Sequence, residues 1–240
     1  MTQIKVSHIG KRYHLKEASL KERLQRMISF QKPEKASLWA LEDVSFSVKA
    51  GELVGIVGGN GSGKSTLLKL ISRVTEPTKG SILIEGRAGA LLEVGVGMHP
   101  ELSGRDNIYF FGALLGMKRK EIQKRLDLIV EFAGVSSFLD TPLKKYSSGM
   151  ALRLACSVIL HLNTDILIID EVLSVGDLVF QQQCFKKIQE VVKEGKIVLC
   201  VSHHSEWIKT YCKRALLLDR GRLVGDGPPQ SVLEQYEGLM

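Results

Sequence analysis

The sequence lacks any long uninterrupted apolar run. No stretch approaches the ~18 consecutive apolar residues that a membrane-crossing helix needs. The opening letters, MTQIKVSHIGKRY, also lack the apolar core of a secretory signal. We therefore expect a protein that does not cross a membrane and stays in the cytosol. Internal repeats and low-complexity tracts are absent too, and the 240 residues suit one globular domain.

The chain is also poor in cysteine. No two of its four cysteines form a C-x-x-C pair, and Cys156 and Cys200 lie in apolar segments. We expect all four to be reduced and mostly in the core. The four are Cys156, Cys184, Cys200 and Cys212.

Positive charge is concentrated near the amino terminus. Residues 1–39 carry nine Lys or Arg against three Glu, which accounts for most of the net charge of +7. Such a region suggests an anionic neighbour, either lipid headgroups or nucleic acid, although a solvated helix face is the simpler alternative. Within it, residues 19–29 have the apolar spacing of a short amphipathic helix, which Pro33 ends.

Apolar strand-like runs alternate with helical patterns along the rest of the chain, which predicts an α/β fold. Residues 93–154 are mostly helical in pattern and form an insertion. The remaining predicted elements are strands at 3–8, 43–48, 52–58, 165–170 and 196–204, a strand and turn in a small sheet at 80–89, helices at 66–74 and 178–193, and a hairpin at 215–227.

A glycine-rich loop follows the strand at 52–58 and opens the helix at 66–74. Its letters, GGNGSGKST, fit the phosphate-binding pattern G-x-x-x-x-G-K-[ST]. The glycines allow backbone N–H groups to point at phosphate oxygens, and the helix start adds partial positive charge. We expect Lys64 to reach the β- and γ-phosphates of ATP and Ser65 to bind Mg²⁺. The nucleotide-binding residues predicted here are Gly58, Gly59, Asn60, Gly61, Ser62, Gly63, Lys64, Ser65 and Thr66.

The apolar strand at 165–170 ends on two successive carboxylates, Asp170 and Glu171, in the letters ILIIDE. At a strand tip beside a phosphate loop, Asp170 can hold Mg²⁺ through water, and Glu171 can polarise an attacking water. The alternative is that the pair only caps the next helix. A phosphate loop needs a nearby carboxylate to hold Mg²⁺, and this need favours the first interpretation.

The order of motifs resembles the ATPase subunits of ABC transporters. YSSGM at 146–150 stands in the place of the family's L-S-G-G-Q signature, SVGD at 174–177 in the place of S-A-L-D, and VSHH contains a switch histidine. The resemblance implies a P-loop NTPase (RecA-like) core with a mostly parallel sheet, a small antiparallel β subdomain and a helical insertion. It implies one ABC ATPase domain over 1–240, with a core at about 1–92 and 155–240, a helical subdomain at about 93–154 and a basic insertion at about 14–38.

The resemblance also implies roles for single residues. Glu171 would be the general base, and His203 would sense the γ-phosphate and brace the water. Asp177 would touch a partner subunit. The signature residues Ser147, Ser148 and Gly149 would meet an ATP held by that partner.

Three positions depart from the family pattern. The glutamine that contacts Mg²⁺ has no clear counterpart, and Glu93 is the nearest candidate. Tyr13 is the expected adenine-stacking aromatic, with Trp39 as a rival for which we expect a core role instead. His204 stands where the family often has Asp and receives no role.

Several stretches resemble one branch of the family, the ATPases of bacterial polysaccharide exporters. They include WALEDVSF, DEVLSVGD, YSSGM with its Ser148, and the long stretch that begins LLEVGVGMHPELSGRDN. The branch implies export of a lipid-linked polysaccharide, O-antigen first, with capsule or teichoic acid as alternatives. It implies a homodimer with ATP and Mg²⁺, at the cytoplasmic face of the inner membrane, bound to two copies of a separate permease through MHPELSGRDN.

This interpretation gives the basic segment a use. We hypothesise that Lys21, Arg23 and Arg26 attract phosphate headgroups at the membrane face, against the alternative of a solvated cover. Contact with the polysaccharide is then indirect, and no nucleic-acid partner is expected. The remaining alternatives are an ATPase of another ABC transporter type, a soluble non-transport ABC protein, and a regulatory module without turnover. The presence of Glu171 and His203 argues against the last of these.

Overall fold

The computed structural model describes residues 2–14, 37–91, 97–170, 177–201 and 205–239. Several predictions lie outside these ranges. They are most of the basic insertion at about 14–38, with its helix at 19–29 and the roles of Lys21, Arg23 and Arg26, residues 174–176 of SVGD, and the roles of Glu93, Glu171 and His203. They therefore remain predictions.

The described strands form two sheets. A three-stranded antiparallel sheet has the order β2-β1-β4, and a six-stranded sheet has the order β5-β6-β7-β3-β8-β9. All neighbours in the larger sheet are parallel except β8 and β9. The strands are β1 (Gln3–His14), β2 (Ser37–Lys49), β3 (Leu53–Val57), β4 (Lys79–Glu85), β5 (Ala88–Leu91), β6 (Ile166–Asp170), β7 (Ile197–Val201), β8 (Arg214–Asp219) and β9 (Arg222–Gly227).

Seven α-helices accompany the sheets within the described ranges. They are α1 (Lys64–Ile71), α2 (Gly104–Leu114), α3 (Arg119–Ala133), α4 (Ser148–Leu160), α5 (Leu178–Lys193), α6 (Ser205–Tyr211) and α7 (Pro229–Glu237), with short 3₁₀ turns at Ser136–Phe138 and Leu143–Lys145. None of them combines the length and apolar character needed to cross a membrane.

The larger sheet separates two hydrophobic clusters because successive side chains of a strand point to opposite faces. On β6, Ile166 and Ile168 pack towards the small sheet and α1, whereas Leu167 and Ile169 pack towards the helices. Strands β3, β6 and β7 are therefore apolar on both faces, as the continuous apolar runs predict. All four cysteines are free and buried, which confirms the expectation for them. Burial raises the pKa of Cys156 to about 12.

Most predicted elements agree with the structure, and the differences have physical reasons. The predicted helical insertion contains α3, which buries its apolar face, and α5 has the predicted limits of 178 and 193. Strands β1 and β2 are longer than predicted, because they pair with each other over most of their length. The stretch 80–89 does not stay in the small sheet. It forms β4 there and then β5, which pairs with β6 in the larger sheet. The boundary placed at about 154 lies inside α4.

Candidate nucleotide-binding site

The loop between β3 and α1 has a backbone that requires glycine. Gly58, Gly61 and Gly63 have φ values of 147°, 77° and 106°, in the region that side chains disfavour. A Cβ on Gly63 would also lie 2.6 Å from the carbonyl oxygen of Ala40. The backbone conformation of the loop therefore explains why glycines occupy these positions.

The loop holds a buried cation. The Lys64 side chain is 7% exposed, and its Nζ donates to the carbonyl oxygens of Gly58 at 2.7 Å and Gly59 at 2.9 Å. Gly63, at the N-cap of α1, provides no side-chain acceptor, so the first N–H groups of the helix have no side-chain cap. A cation and open helix N–H groups in one loop are suited to binding phosphate.

A cavity of about 610 Å³ extends from this loop to the ends of β1 and β2. It joins a phosphate-binding end to an aromatic end, which is the shape a nucleotide needs. Its lining consists of Tyr13, Leu38, Trp39, Ala40, Asn60, Gly61, Ser62, Gly63, Lys64, Ser65, Thr66 and Arg220.

Tyr13 and Trp39 both stand at the aromatic end. Tyr13 is 38% exposed and pairs in register with Leu38 on β2, which places its ring on the cavity wall. Trp39 is half-buried and lies against Gly10, with Lys79 Nζ 5.2 Å from its ring centroid. The core role expected for Trp39 is thus wrong in part, because one side of the ring faces the cavity.

The sequence alone did not single out Arg220 as a site residue. It occupies the turn between β8 and β9, and the neighbouring Gly221 donates its N–H to the carbonyl oxygen of Ser62 at 3.0 Å. Strand β8 is the parallel neighbour of β3, and parallel strands end at the same edge of a sheet. The adjacency of β3 and β8 could have identified Arg220, but it depends on the order of the strands in the sheet, which cannot be read from the sequence.

Asp170 ends β6 at the same edge of the larger sheet. Strand β7 lies between β6 and β3, and Asp170 pairs with Val201 at the end of β7. The carboxylate of Asp170 and the hydroxyl of Ser65 are hard oxygen donors of the kind that Mg²⁺ prefers. Among the described residues, no group of three or more His, Cys, Asp or Glu forms a metal cluster. Two such oxygen donors from the protein would leave the other positions of an Mg²⁺ shell to phosphate and water.

The signature residues begin helix α4. Ser147 is the N-cap, and its side chain accepts a hydrogen bond from the N–H of Met150 at 3.1 Å. Ser147 and Ser148 are exposed, and Gly149 is half-buried. Among the described residues, a Cβ on Gly149 would meet only Ser147 Oγ, at 3.9 Å, which is an ordinary contact. These three residues do not line the cavity that contains the phosphate loop.

Asp177 begins helix α5 and connects it to α4. Its Oδ1 accepts from the N–H of Phe180 at 2.8 Å, and its Oδ2 lies 3.5 Å from Arg153 Nη1. The Arg153 guanidinium also lies 4.9 Å from the Phe180 ring centroid. Asp177 thus caps the start of α5 and also pairs with an arginine of α4.

The MHPELSGRDN stretch, residues 98–107, forms a tightly bonded loop and the first turn of α2. Asn107 is fully buried, and its side-chain oxygen accepts from the N–H of His99 at 2.7 Å. Its Nδ2 lies 2.9 to 3.0 Å from three carbonyl oxygens of the same loop. The loop is joined to the chain just before α4, because Leu143 donates its N–H to the Leu102 carbonyl at 2.9 Å and Lys144 pairs with Glu101 at 2.7 Å.

Comparisons of the chain with known proteins all point to one family. A family model described as "ABC transporter" matches residues 41–174. The chain is 42% identical over 241 residues to an O-antigen export system ATP-binding protein, RfbB, of Klebsiella pneumoniae, covering 99% of this chain and 98% of that protein. It is 39% identical over 236 residues to a teichoic acids export ATP-binding protein, TagH, of Lactococcus lactis, covering 98% of this chain and 50% of that protein.

Some relatives are longer than this chain. The ABC transporter protein AbcA of Aeromonas salmonicida is 47% identical over 201 residues, which cover 84% of this chain and 65% of AbcA. Among solved structures, a dimeric ATP-binding cassette in a post-hydrolysis state bound to ADP and Pi superposes with a TM-score of 0.74 at 21% identity. That match covers 94% of this chain and 98% of the other, and at this identity it shows the shared fold.

Proposed function

The chain belongs to the ABC transporter family, and on that premise we propose that it powers the export of a lipid-linked polysaccharide. The family consists of ATPases, so the chain binds and hydrolyses ATP. The observation that carries polysaccharide export is the similarity to RfbB over nearly the full length of both chains. O-antigen is therefore the first candidate, and teichoic acid is the second because TagH also matches over 98% of this chain.

ATP fits the cavity in one direction. Tyr13 would stack on adenine at the aromatic end, and the loop over 58–66 would surround the phosphates with Lys64 as the cation. Ser65 and Asp170 would hold Mg²⁺, which neutralises the charge that develops between the phosphates. Glu93 is a further candidate for the Mg²⁺ shell.

Hydrolysis needs a water and a group that accepts its proton. Glu171 follows Asp170 directly and would accept that proton, while His203 follows β7 and would brace the water against the γ-phosphate. Strands β6 and β7 are adjacent and parallel, so these residues follow neighbouring strand ends. This placement supports the two roles.

The signature residues would complete the site in a second copy of the chain. Ser147 and Ser148 are exposed at a capped helix start, and they lie outside the cavity of their own chain. A helix N-terminus attracts an anion. We propose that this anion is the γ-phosphate bound by the partner's loop, in a homodimer with two shared sites, in which Asp177 also contacts the partner.

The membrane partner would be a separate permease, present in two copies. Its contact would be the loop that contains residues 97–107, which is bonded both internally and to the segment before α4. The ATPase would then act as a peripheral protein at the cytoplasmic face of the inner membrane. Motion of the signature helix would reach the permease through this bonded loop.

Genetic complementation tests the proposed cargo. Bacteria that lack an O-antigen exporter ATPase receive this gene together with its neighbouring membrane-protein gene, and surface O-antigen is measured on gels of lipopolysaccharide. We expect restoration by the native gene and none by Lys64→Ala, which removes the loop cation. A protein that hydrolyses ATP but restores neither O-antigen nor teichoic acid in the matching strain would contradict polysaccharide export.

A further inference from the structure

Three arginines belong to the hairpin of β8 and β9, and they differ in their partners. Arg214 binds Asp226 through two hydrogen bonds of 2.6 and 2.7 Å. Arg222 binds Glu42 at 2.8 Å. Arg220 pairs with no carboxylate in the described part of the chain, and it lines the nucleotide cavity. Its charge is therefore available to an anion in that cavity.

The turn that carries Arg220 is fixed against the phosphate loop. Gly221 donates its N–H to the Ser62 carbonyl at 3.0 Å and accepts from the N–H of Glu42 at 2.8 Å. A Cβ on Gly221 would lie 2.9 Å from the Ala40 carbonyl oxygen, so the turn packs closely on the cavity wall. The turn and the loop are thus held in one position relative to each other.

The backbone at Arg220 is unfavourable for a residue with a side chain. Its φ is 44°, in the left-handed region where glycine and asparagine are better tolerated. The two-residue turn between β8 and β9 imposes this conformation, since the neighbouring Gly221 also has a positive φ of 80°. The turn thus holds at the cavity wall a guanidinium that no carboxylate of the described residues neutralises.

We propose that Arg220 is a second cationic ligand for the phosphate chain of the bound nucleotide. Lys64 acts from inside the loop, and Arg220 acts from the hairpin turn. The planar guanidinium presents paired N–H donors that match two phosphate oxygens, which a lysine provides less well. This inference rests on the proposed function, because it takes the cavity to be a nucleotide site.

Equilibrium binding with the purified full-length chain tests Arg220 without relying on hydrolysis. The probes are a non-hydrolysable ATP analogue, ADP and adenosine, and the variants are Arg220→Gln, Arg220→Lys and Arg222→Gln. We expect Arg220→Gln to weaken the analogue and ADP by roughly tenfold, and to leave adenosine unchanged. Arg220→Lys should recover part of the affinity. Arg222→Gln, on the same hairpin but outside the cavity lining, should bind all three probes like the native chain.

A glycine variant separates binding from folding. Arg220→Gly relieves the unfavourable φ, so it should unfold at an equal or higher urea concentration than the native chain while binding the ATP analogue more weakly. Equal affinities for Arg220→Gln and Arg222→Gln would overturn the proposal. Equal weakening of adenosine and the analogue would also overturn it, because the residue would then only shape the cavity.

The failure of this inference can be told apart from that of the proposed function. If Lys64→Ala loses the analogue and Arg220→Gln retains it, only the role of Arg220 fails. If the native chain binds no nucleotide at all, the nucleotide site itself is wrong.

Discussion

At the scale of single residues, two glycines of the site differ in what requires them. Gly63 is required by its own chain, because its φ is 106° and a Cβ there would approach the Ala40 carbonyl oxygen to 2.6 Å. The described part of the chain makes no such demand on Gly149, since a Cβ there would meet only Ser147 Oγ at 3.9 Å. A substitution at Gly149 therefore tests an external contact without disturbing the fold.

His161, at the end of the signature helix, makes folding stability depend on pH. It is 5% exposed, its Nδ1 lies 2.7 Å from the Ser157 carbonyl, and its ring packs edge-on against Phe132. Burial, followed by Lys187 and Arg125, lowers the pKa of His161 below its ordinary value of 6.5. The folded state therefore holds the neutral ring at a pH where the unfolded chain is already protonated.

Above pH 6.5, we expect His161 to contribute its full stabilisation to the folded state. This stabilisation should be lost as the pH falls through the lowered pKa of the folded state. Urea unfolding at pH 7.5 and pH 5.5 measures the loss, with His161→Asn as the variant that cannot titrate. The native chain should lose more stability between the two pH values than the variant. Equal losses would show that His161 is not the group responsible.

At the scale of elements, short polar contacts connect the parts of the proposed dimer surface. Arg153 on α4 pairs with Asp177 at the start of α5, and both helices begin on residues that we assign to the partner contact. A shift of α4 would therefore move Asp177 as well. The loop before α2 is connected in the same way, through Lys144 and Glu101.

Asn107 holds that loop together. Replacing it with leucine leaves the His99 N–H and three carbonyl groups without the side chain that binds them. A buried donor without a partner costs about 1–3 kcal/mol, so we expect Asn107→Leu to lower the free energy of unfolding by about 3 kcal/mol in urea titrations. Nucleotide affinity should stay near the native value, because Asn107 does not line the cavity.

Asp106→Asn is the matched control for this substitution. Asp106 lies beside Asn107 on the same helix turn and is exposed, and its side chain accepts from Ser103 Oγ at 2.6 Å. It should cost less than about 1 kcal/mol. Equal losses for both variants would show that the buried amide does not organise the loop.

Elements with a strong local pattern could be predicted from the sequence, and those fixed by tertiary pairing could not. The limits of α5 and the buried face of α3 follow from apolar spacing alone. The transfer of β5 to the larger sheet depends on its pairing with β6, about 80 residues further along the chain. Arg220 was missed for the same reason, since only the strand order brings its turn to the phosphate loop.

At the scale of the whole molecule, our proposal is that one chain carries two halves of a nucleotide site in different places. The cavity holds the phosphate loop and the aromatic end, whereas Ser147, Ser148 and Gly149 lie outside it on the helical part. Two copies placed head to tail would join each cavity to the other copy's signature. The central claim is therefore that ATP binding needs one chain and hydrolysis needs two.

Gly149→Asp tests this claim most directly, with nucleotide affinity and hydrolysis rate measured on the same purified protein. Asp in the first turn of α4 suits the helix dipole, so folding should be retained. Ser231→Asp, which adds the same single negative charge at an exposed residue in the first turn of α7, is the control for added charge. The account predicts native ATP affinity and a loss of hydrolysis of about 100-fold or more, with the control hydrolysing ATP normally. Native hydrolysis by Gly149→Asp, or loss of its ATP binding, would contradict the shared site.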